Sequence, residues 1–257
     1  MIILAIYIKG MNKKLKPNNT YDLIRLGSRF DGGYLVEKKS YEDSEFLLSL
    51  GICDDWNFEV DFRKPFLGID NQLSKKFLFK KIFINACRVI INPLKYNSYR
   101  TLYVYLKKLY FYLLNSNFFK RAFVSNFDSN NTISLNKLIG SINQKKIFLK
   151  IDIEGSEYRI LNQILENEDI ISGLVIEFHD VDINLEKILN FVNKTNLTLV
   201  HFHQNNYGGI DKNGDPIIIE LTFALNPKIL SDEPPILPLK LDSPNNNTEE
   251  DIEVIFN

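Results

Sequence analysis

The sequence predicts an α/β fold in which a mostly parallel sheet is covered by helices on both faces and closed by an antiparallel strand. Short apolar runs, each ending at or near a glycine, an acid or a histidine, occupy residues 45–50, 65–70, 147–151 and 173–179. Segments with apolar residues at helical spacing separate several of these runs. Later, the short turn at 211–215 joins two further apolar runs, which indicates an antiparallel hairpin rather than a crossover.

Length and composition indicate a single domain that carries an insertion. The chain has 257 residues, and 45% of them are hydrophobic, which is enough to bury a core. We divide it into an N-terminal lead-in (1–44), a core domain (45–225) with a helical insertion at about 75–121, and a tail (226–257). The tail is rich in Pro, Asn and acids, which is typical of a wrapping or loose segment.

The cysteines and the N-terminal residues give an expectation of the cellular compartment of the protein. Cys53 and Cys87 are too few for a disulfide framework and form no C-x-x-C pair, so we expect a reducing, cytoplasmic setting. The apolar start at 1–8 has no basic residue before it and is too short to span a bilayer. We expect an extra edge strand there, or a true start at Met11, and no export signal.

A β-rich lead-in and a first helix can be placed directly. Residues 21–37 have strand character, and the adjacent glycines of the segment 31–34 supply its turn. A helix is expected at 56–63, with Asp54 or Asp55 as its N-cap.

Two strands frame that helix. The apolar run at 45–50 stops at Gly51, and the run at 65–70 ends in Asp70. Strand, glycine turn, helix, strand and acid follow one another at roughly the spacing of a nucleoside-binding βαβ unit.

The insertion is strongly basic. Between Asp70 and Asp128 there is no Asp or Glu, yet eleven Lys or Arg fall between Lys75 and Arg121, so the rest of the chain is clearly acidic. Such segregation of charge indicates something about the partners that the protein binds and says little about its fold.

Two aromatic-rich helices are expected in the insertion, at 75–91 and 99–114. Pro93 and Asn97 should break the chain between them. Neither helix reaches transmembrane length without charged residues.

The second half of the chain continues the alternation of strands and helices. The sheet pattern resumes at 121–128 and after the run at 197–203 returns once more at 217–223. Helical patterns cover the three segments 133–139, 158–165 and 186–193.

Two carboxylates follow the buried strand at 147–151. Asp152 and Glu154 lie at the strand-to-helix turn, where open α/β sheets collect ligands and chemistry. The alternative is that acids here only favour the positive end of a helix dipole. We assign that structural explanation to Glu157.

The three histidines of the chain, His179, His201 and His203, fall at or just beyond predicted strand ends. Strand alternation puts Glu177 on the same face as His179. These groups could act as a general base, or Asp152, Glu177 and His179 could bind a divalent ion such as Mg²⁺ or Mn²⁺.

Four separated stretches resemble the FkbM-type methyltransferase family. The third of them, K-I-D-x-E-G-x-E after a strand, is the most specific. The stretches are 25–36 (RLGSRFDGGYLV), 49–55 (SLGICDD), 148–158 (FLKIDIEGSEY) and 175–179 (VIEFH).

The resemblance implies the Rossmann-like fold of class I S-adenosylmethionine-dependent methyltransferases, with a seven-stranded sheet. It implies O-methylation of a sugar hydroxyl, on a nucleotide-sugar or other acceptor used in surface polysaccharide biosynthesis. The motif at Gly51 departs from the family pattern, since it has one glycine where methyltransferases often have two or three. It also lacks the Gly-x-Gly-x-x-Gly of a dinucleotide enzyme.

The resemblance also implies the cofactor site. Asp70 would hold the ribose hydroxyls, Gly51 would let the backbone approach the cofactor, Phe127 would pack the adenine and Asp128 would accept from its amino group. The full predicted set is Gly51, Asp54, Asp70, Asn71, Phe127, Asp128 and Asp152. The alternatives are an ordinary tight turn at Gly51, a turn acid at the end of a strand for Asp70 and a loop acid for Asp128.

Catalysis is expected from Asp152, Glu154, His179 and His203. In the methyltransferase strand order the closing strand separates the strand of His179 from that of His203, so their backbones lie about 10 Å apart. We therefore expect a set of groups to hydrogen-bond a sugar acceptor. This set is His201, His203, Asn205 and Asn206, with a buried structural histidine as the alternative for His201.

The basic insertion at 75–121 has three interpretations. In order of preference, it is a lid that binds a pyrophosphate, an oligomer interface, or a surface that lies on anionic lipid. Two other functions stay open: a non-catalytic membrane-surface or scaffold protein, and a metal-dependent hydrolase that uses the histidines. No motif indicates nucleic-acid binding.

Overall fold

The computed structural model describes residues 10–257, so the edge strand predicted at 1–8 lies outside the described residues. The described part contains strands and α-helices that alternate as predicted. In chain order the strands are β1 (Thr20–Tyr21), β2 (Leu23–Gly27), β3 (Gly33–Glu37), β4 (Phe46–Leu50), β5 (Phe66–Ile69), β6 (Phe119–Lys120), β7 (Phe123–Ser125), β8 (Thr132–Ser134), β9 (Ile147–Ile151), β10 (Ile171–Phe178), β11 (Thr198–Gln204), β12 (Ile219–Ala224) and β13 (Ile229–Ser231). The helices are α1 (Lys38–Asp43), α2 (Asn57–Phe62), α3 (Lys75–Ile91), α4 (Tyr96–Leu114), α5 (Leu135–Gly140), α6 (Leu161–Glu166) and α7 (Val181–Lys194).

Seven strands form one sheet in the order β11-β12-β10-β9-β4-β5-β6. Neighbours are parallel except at β12, which runs antiparallel to both β10 and β11. The mostly parallel sheet with an antiparallel closing strand is therefore confirmed. The closing strand lies between β10 and β11, as expected for the strands that carry His179 and His203.

Both faces of the sheet are buried. Successive side chains of a strand point to opposite faces, and on β4 Leu47 and Leu48 enter two separate hydrophobic clusters. The cluster of Leu48 includes apolar residues of α5, α6 and α7, whereas the cluster of Leu47 includes residues of α2, α3 and α4. Helices thus cover both faces, as the sequence predicts.

Helix boundaries differ from the predictions at several places; the helix predicted at 186–193, for example, is α7 and begins already at Val181. α4 begins at Tyr96, so Asn97 lies inside it and only the segment around Pro93 breaks the chain. α2 has Trp56 as its N-cap without a side-chain hydrogen bond, while Asp55 accepts from the Asn57 amide at 3.1 Å. After β9, a 3-10 turn at Glu157–Arg159 precedes α6.

The segment after the insertion also departs from its prediction. Only β6 joins the main sheet, because β7 pairs in parallel with β8 in a separate two-stranded sheet. The helix predicted at 133–139 is α5, which begins after Ser134, whose hydroxyl accepts from the Lys137 amide.

The two ends of the described chain pack on the sheet. In the β2–β3 hairpin the Leu35 carbonyl accepts a hydrogen bond from the Thr222 hydroxyl of β12 at 2.7 Å. The tail wraps rather than hangs free, since β13 pairs with β1 and Met11 forms a β-bridge with Phe256. Across residues 10–257, no helix has the combination of length and apolarity needed to cross a membrane.

Candidate active site

The carboxyl ends of β4 and β9 lie side by side and border a cleft. The chain leaves β4 towards β5 and β6 and returns to β9 on the other side of β4, which makes this the switch point of the sheet. The Asp152 amide donates to the Leu50 carbonyl at 2.9 Å and holds the two ends together. The cleft is lined by Gly51, Cys53, Ile69, Asp70, Asn71, Gln72, Ala122, Phe123, Val124, Asp152, Ile153, Glu154 and Ser156.

Gly51 permits the close approach of these two strand ends. Its φ is +80°, and a Cβ built on it would lie 1.4 Å from the Asp152 carbonyl oxygen. A side chain at this position would therefore displace the end of β9. The backbone conformation and the close contact therefore both require glycine at this position of the motif.

Asp70 is fixed by three backbone amides. Its Oδ2 accepts from Cys53 at 3.0 Å, and its Oδ1 accepts from Gln72 at 2.6 Å and Leu73 at 2.8 Å. The first of these bonds ties the corner after β4 to the end of β5. Gly51, Asp70 and Asn71 consequently face the same cleft, as predicted.

Asp54 lies apart from that cleft, contrary to its predicted placement. The Tyr105 hydroxyl donates to Asp54 Oδ2 at 2.7 Å, and Lys108 Nζ lies 4.0 Å from Oδ1. Asp54 is therefore a contact between the corner after β4 and helix α4 of the insertion.

Phe127 and Asp128 also fall outside the residues that line the cleft. Asp128 accepts from the Ser134 amide at 2.9 Å, and Phe127 is 51% exposed. The reason is the separate β7–β8 sheet, which carries this loop away from the main sheet. Phe123 and Val124 line the cleft instead.

Three carboxylates surround the imidazole of His179 at the same edge of the sheet. Its Nε2 lies 3.3 Å from Glu177, 3.5 Å from Glu154 and 4.0 Å from Asp152. Glu177 is buried near the end of β10, whereas Glu154 is largely exposed and reaches the cleft. The structure thus brings the predicted Asp152, Glu154, Glu177 and His179 together.

Glu157 completes this cluster, although its sequence position suggested only a helix start. It is fully buried, and its Oε1 lies 2.6 Å from Nδ1 of His179 and accepts from the Gly155 amide at 3.1 Å. A buried carboxylate on Nδ1 fixes the ring so that Nε2 faces the other carboxylates. The second Glu of the K-I-D-x-E-G-x-E motif was the available signal.

The cluster shifts the pKa of two of its members. Burial opposes a charge on His179, but hydrogen bonds with Glu157 and Glu177 outweigh it and raise the pKa of the imidazole to about 11. Burial, assisted by the charge of Asp152, raises the pKa of Glu177 to about 7. At neutral pH His179 is therefore protonated, and Glu177 holds a proton more readily than an exposed glutamate does.

Tyr34 and Lys150 are two further buried residues that contact or lie near the cluster, and the sequence did not indicate a role for either. The Tyr34 hydroxyl donates to Asp152 at 3.3 Å and lies 3.5 Å from Glu177. Lys150 is buried with its ammonium 5.4 Å from the Tyr34 ring centroid, and nearby carboxylates keep its pKa raised although burial lowers it. The first polar residue of K-I-D therefore balances part of the acidic charge.

The other two histidines lie beneath the C-terminal tail. His201 Nε2 is 3.1 Å from Asp242, and His203 Nε2 is 3.1 Å from Asn245. Asn205 and Asn206 are equally buried, and Asn206 exchanges hydrogen bonds with Asn246. The structure does not bring this set into the cluster of His179, because β12 lies between β10 and β11; the tail binds His201, His203 and Asn206 instead.

Three groups of the cluster are close enough together that they could hold a divalent cation. Asp152, Glu154 and His179 each offer one atom, and these atoms lie within 4.8 Å of one another. Glu154 thus takes the place that we predicted for Glu177, which is more deeply buried. Carboxylate oxygens and one imidazole suit Mg²⁺ or Mn²⁺, and Glu157 supplies the carboxylate that orients the imidazole.

The fold and the site define the class of protein. A mostly parallel sheet of this order, with a glycine corner and an acid at its switch point, is consistent with a Rossmann-like methyltransferase. Residues 78–207 match the family described as Methyltransferase FkbM domain, and the chain belongs to that family. The match contains the cluster from Asp152 to His179, while Gly51 and Asp70 precede it. No curated protein and no solved structure matches the chain.

Proposed function

We propose that the protein is an S-adenosylmethionine-dependent O-methyltransferase that acts on a sugar hydroxyl, on a nucleotide-activated sugar used for surface polysaccharide. One observation carries the proposal: Gly51, Asp70 and Asp152 line a single cleft at the switch point of the sheet. The same cleft opens beside the cluster around His179. A donor site and a group of acids and imidazole are therefore adjacent.

The residues of the cleft fit the adenosyl donor. Gly51 leaves no space for a side chain, so the main chain itself forms the wall there. Asp70 Oδ1 accepts two backbone hydrogen bonds and Oδ2 accepts one, so Oδ2 keeps an acceptor position for a ribose hydroxyl. Asn71 and Phe123 add a polar and an aromatic side chain to the same wall.

The cluster can receive the proton of the acceptor. S-adenosylmethionine, when bound, supplies a sulfonium methyl group that transfers to the acceptor oxygen. Asp152 lines the cleft with a quarter of its side chain exposed, so its carboxylate can accept a hydroxyl proton. His179 is held protonated by Glu157 and orients Asp152 and Glu154 around it.

A divalent cation is the second way in which this cluster could act. Asp152, Glu154 and His179 would hold it, and it would lower the pKa of the acceptor hydroxyl. His179 must then give up its proton, so cation binding should release protons. Isothermal titration with Mn²⁺ in buffers of different ionisation enthalpy tests this release of protons. If no heat is observed, the cluster does not bind the cation, and its role is to accept the proton of the acceptor hydroxyl.

The sugar acceptor rests on the resemblance of the four motifs and on the acidic character of the cleft edge. Asp152 and Glu154 offer carboxylate acceptors of the kind that hydroxyl groups use. The cytoplasmic setting, in which nucleotide-sugars and the cofactor would be available, is supported by the two free cysteines, Cys53 and Cys87.

Mass spectrometry tests the proposal directly. The full chain is incubated with S-adenosylmethionine, a panel of divalent cations and a library of nucleotide-sugars, and a product with one added methylene is expected. Asp152→Asn should remove the product, whereas Asp169→Asn, at an exposed acid, should not. If no sugar gains a methylene although the cofactor binds, the acceptor assignment is wrong.

A further inference from the structure

The turn between α3 and α4 exposes a cluster of large apolar side chains. Leu94 is 99% exposed, Ile90 77%, Tyr96 75% and Ile91 73%. We call these four residues the tip. A folded domain rarely leaves so many neighbouring apolar groups in water without a partner.

The apolar exposure continues from the tip along α3. Phe79, Phe83 and Ile90 are spaced four and seven residues apart, so they share one face of the helix. All three are exposed.

Helix α4 carries a matching stripe. Tyr99, Tyr103, Leu106 and Tyr110 are spaced by three or four residues and are exposed. Other sides of the two helices pack on the domain, where Leu78 and Leu109 are buried. The hairpin is therefore anchored by one side and presents an apolar side to solvent.

Positive charge surrounds these apolar residues. No acid occurs between Asp70 and Asp128, and eleven Lys or Arg lie in that interval. Within the described residues, one ion pair links this segment to an acid, Lys108 with Asp54 at 4.0 Å. Lys95, between Leu94 and Tyr96, is exposed at the tip itself.

Two other occupants fit less well. The residues that line the cleft at Gly51 include none from 75–121, so the hairpin contributes no wall to it. A second copy would bring two basic surfaces together, and their like charges would repel. An anionic membrane is therefore the occupant that the charge and the exposed apolar residues of the hairpin favour.

We propose that the α3–α4 hairpin docks on the surface of an anionic lipid bilayer. The tip and the exposed aromatic stripes enter the interfacial region, while the lysines and arginines contact the lipid phosphates and carboxylates. Amphipathic helices with aromatic and aliphatic side chains on one face and basic groups beside them bind membranes in this manner. This inference is independent of the proposed enzymatic function.

The position of the hairpin gives such docking a consequence. The hairpin is inserted between β5 and β6, at the side of the sheet that carries Asp70, and it reaches the corner after β4 through Asp54 and Tyr105. A bilayer that binds the tip would hold the open edge of the cleft at a fixed orientation to the membrane.

Vesicle co-sedimentation of the full chain tests the proposal. Vesicles of phosphatidylcholine alone are compared with vesicles of phosphatidylcholine and phosphatidylserine in equal parts. The protein should sediment with the second kind and stay in solution with the first, and raising the salt concentration should release it. No sedimentation with the anionic vesicles at low salt would overturn the proposal.

Paired variants locate the contact. The triple change Ile90→Ser, Ile91→Ser and Leu94→Ser should reduce vesicle affinity by at least tenfold. The matched control Ile183→Ser, Ile210→Ser and Ile236→Ser, at exposed isoleucines elsewhere, should leave it unchanged.

A charge variant and a size measurement complete the test. Each basic residue near an anionic surface raises affinity roughly fivefold, so Lys76→Glu with Lys80→Glu should weaken binding more than tenfold. Equal binding by tip and control variants would contradict the proposal. A second result would also contradict it: the wild type does not bind the vesicles and is a dimer in light scattering, and the tip variant is a monomer. The surface would then be an interface between copies of the chain.

Discussion

The backbone amide of Cys53 donates a hydrogen bond to the carboxylate of Asp70 at 3.0 Å. This bond joins the glycine corner after β4 to the acid after β5, the two features that the predicted βαβ unit brings together. Both therefore belong to one rigid wall of the cleft. Asp152 forms the neighbouring wall, because its carbonyl oxygen lies against Gly51.

Gly51→Ala should destabilise the fold strongly. Two effects add: the residue has a φ of +80°, and the new Cβ would meet the Asp152 carbonyl. Gly214→Ala is the matched control, since Gly214 has a φ of +87° and nothing within 4 Å of a built Cβ. We expect the control to cost about 1–2 kcal/mol and Gly51→Ala at least about 3 kcal/mol in urea unfolding. If both variants lost the same free energy of unfolding, the close contact between Gly51 and the Asp152 carbonyl would not contribute to the effect.

Glu157→Gln should reduce turnover without weakening cofactor binding. The change keeps an acceptor for the Gly155 amide but removes the charge that holds His179 protonated. Since partners of this kind typically contribute tenfold to a hundredfold, we expect a loss of about that size in kcat.

Two readouts separate this positioning effect from simple damage to the fold. In the Glu157→Gln variant the pKa of His179, followed by NMR, should fall from its raised value of about 11. Glu166→Gln, at an exposed acid, should change neither kcat nor that pKa. A loss of cofactor affinity equal to the loss of kcat would show that Glu157 is a structural residue only.

Glu220→Gln should flatten the dependence of stability on pH. Burial and the charge of Glu177 raise the pKa of Glu220 well above its usual value. Stability from this group is complete below its unfolded pKa, about 4.3, and falls as pH rises towards the folded pKa, by up to about 1.4 kcal/mol per pH unit.

The comparison for Glu220 is made by thermal unfolding at about pH 5 and about pH 8. The wild type should lose more of its Tm between these values than Glu220→Gln, in which Oε1 still accepts from Asn245. Glu186→Gln, at an exposed acid, should behave as the wild type. If the variant loses as much Tm as the wild type, Glu220 is ionised in the fold.

Local patterns predicted the sheet well because each strand is a separate apolar run with a clear end. β4, β5 and β9 begin and end within one or two residues of the predicted strands. The closing strand followed from the short turn at 211–215. What failed were features that depend on distant partners, such as the pairing of β7 with β8.

The site shows the same division. Asp152, Glu154, Glu177 and His179 were predicted together because they lie at or just beyond the carboxyl ends of two strands, β9 and β10, which are adjacent and parallel. The burial of His203 could not be predicted, since it depends on Asn245, forty-two residues further along the chain. The contact of Asp54 with Tyr105 likewise depends on an insertion whose packing no local pattern describes.

The central claim, that the wall formed by Gly51 and Asp70 holds S-adenosylmethionine, is tested most directly by isothermal titration of the purified chain with that ligand. The account predicts saturable heat for one site per chain, and Asp70→Ala should weaken the affinity by about tenfold to a hundredfold through loss of a charge-assisted hydrogen bond. Asp152→Asn should retain most of the affinity. The absence of heat at about millimolar ligand, or equal binding by Asp70→Ala and the wild type, would contradict it.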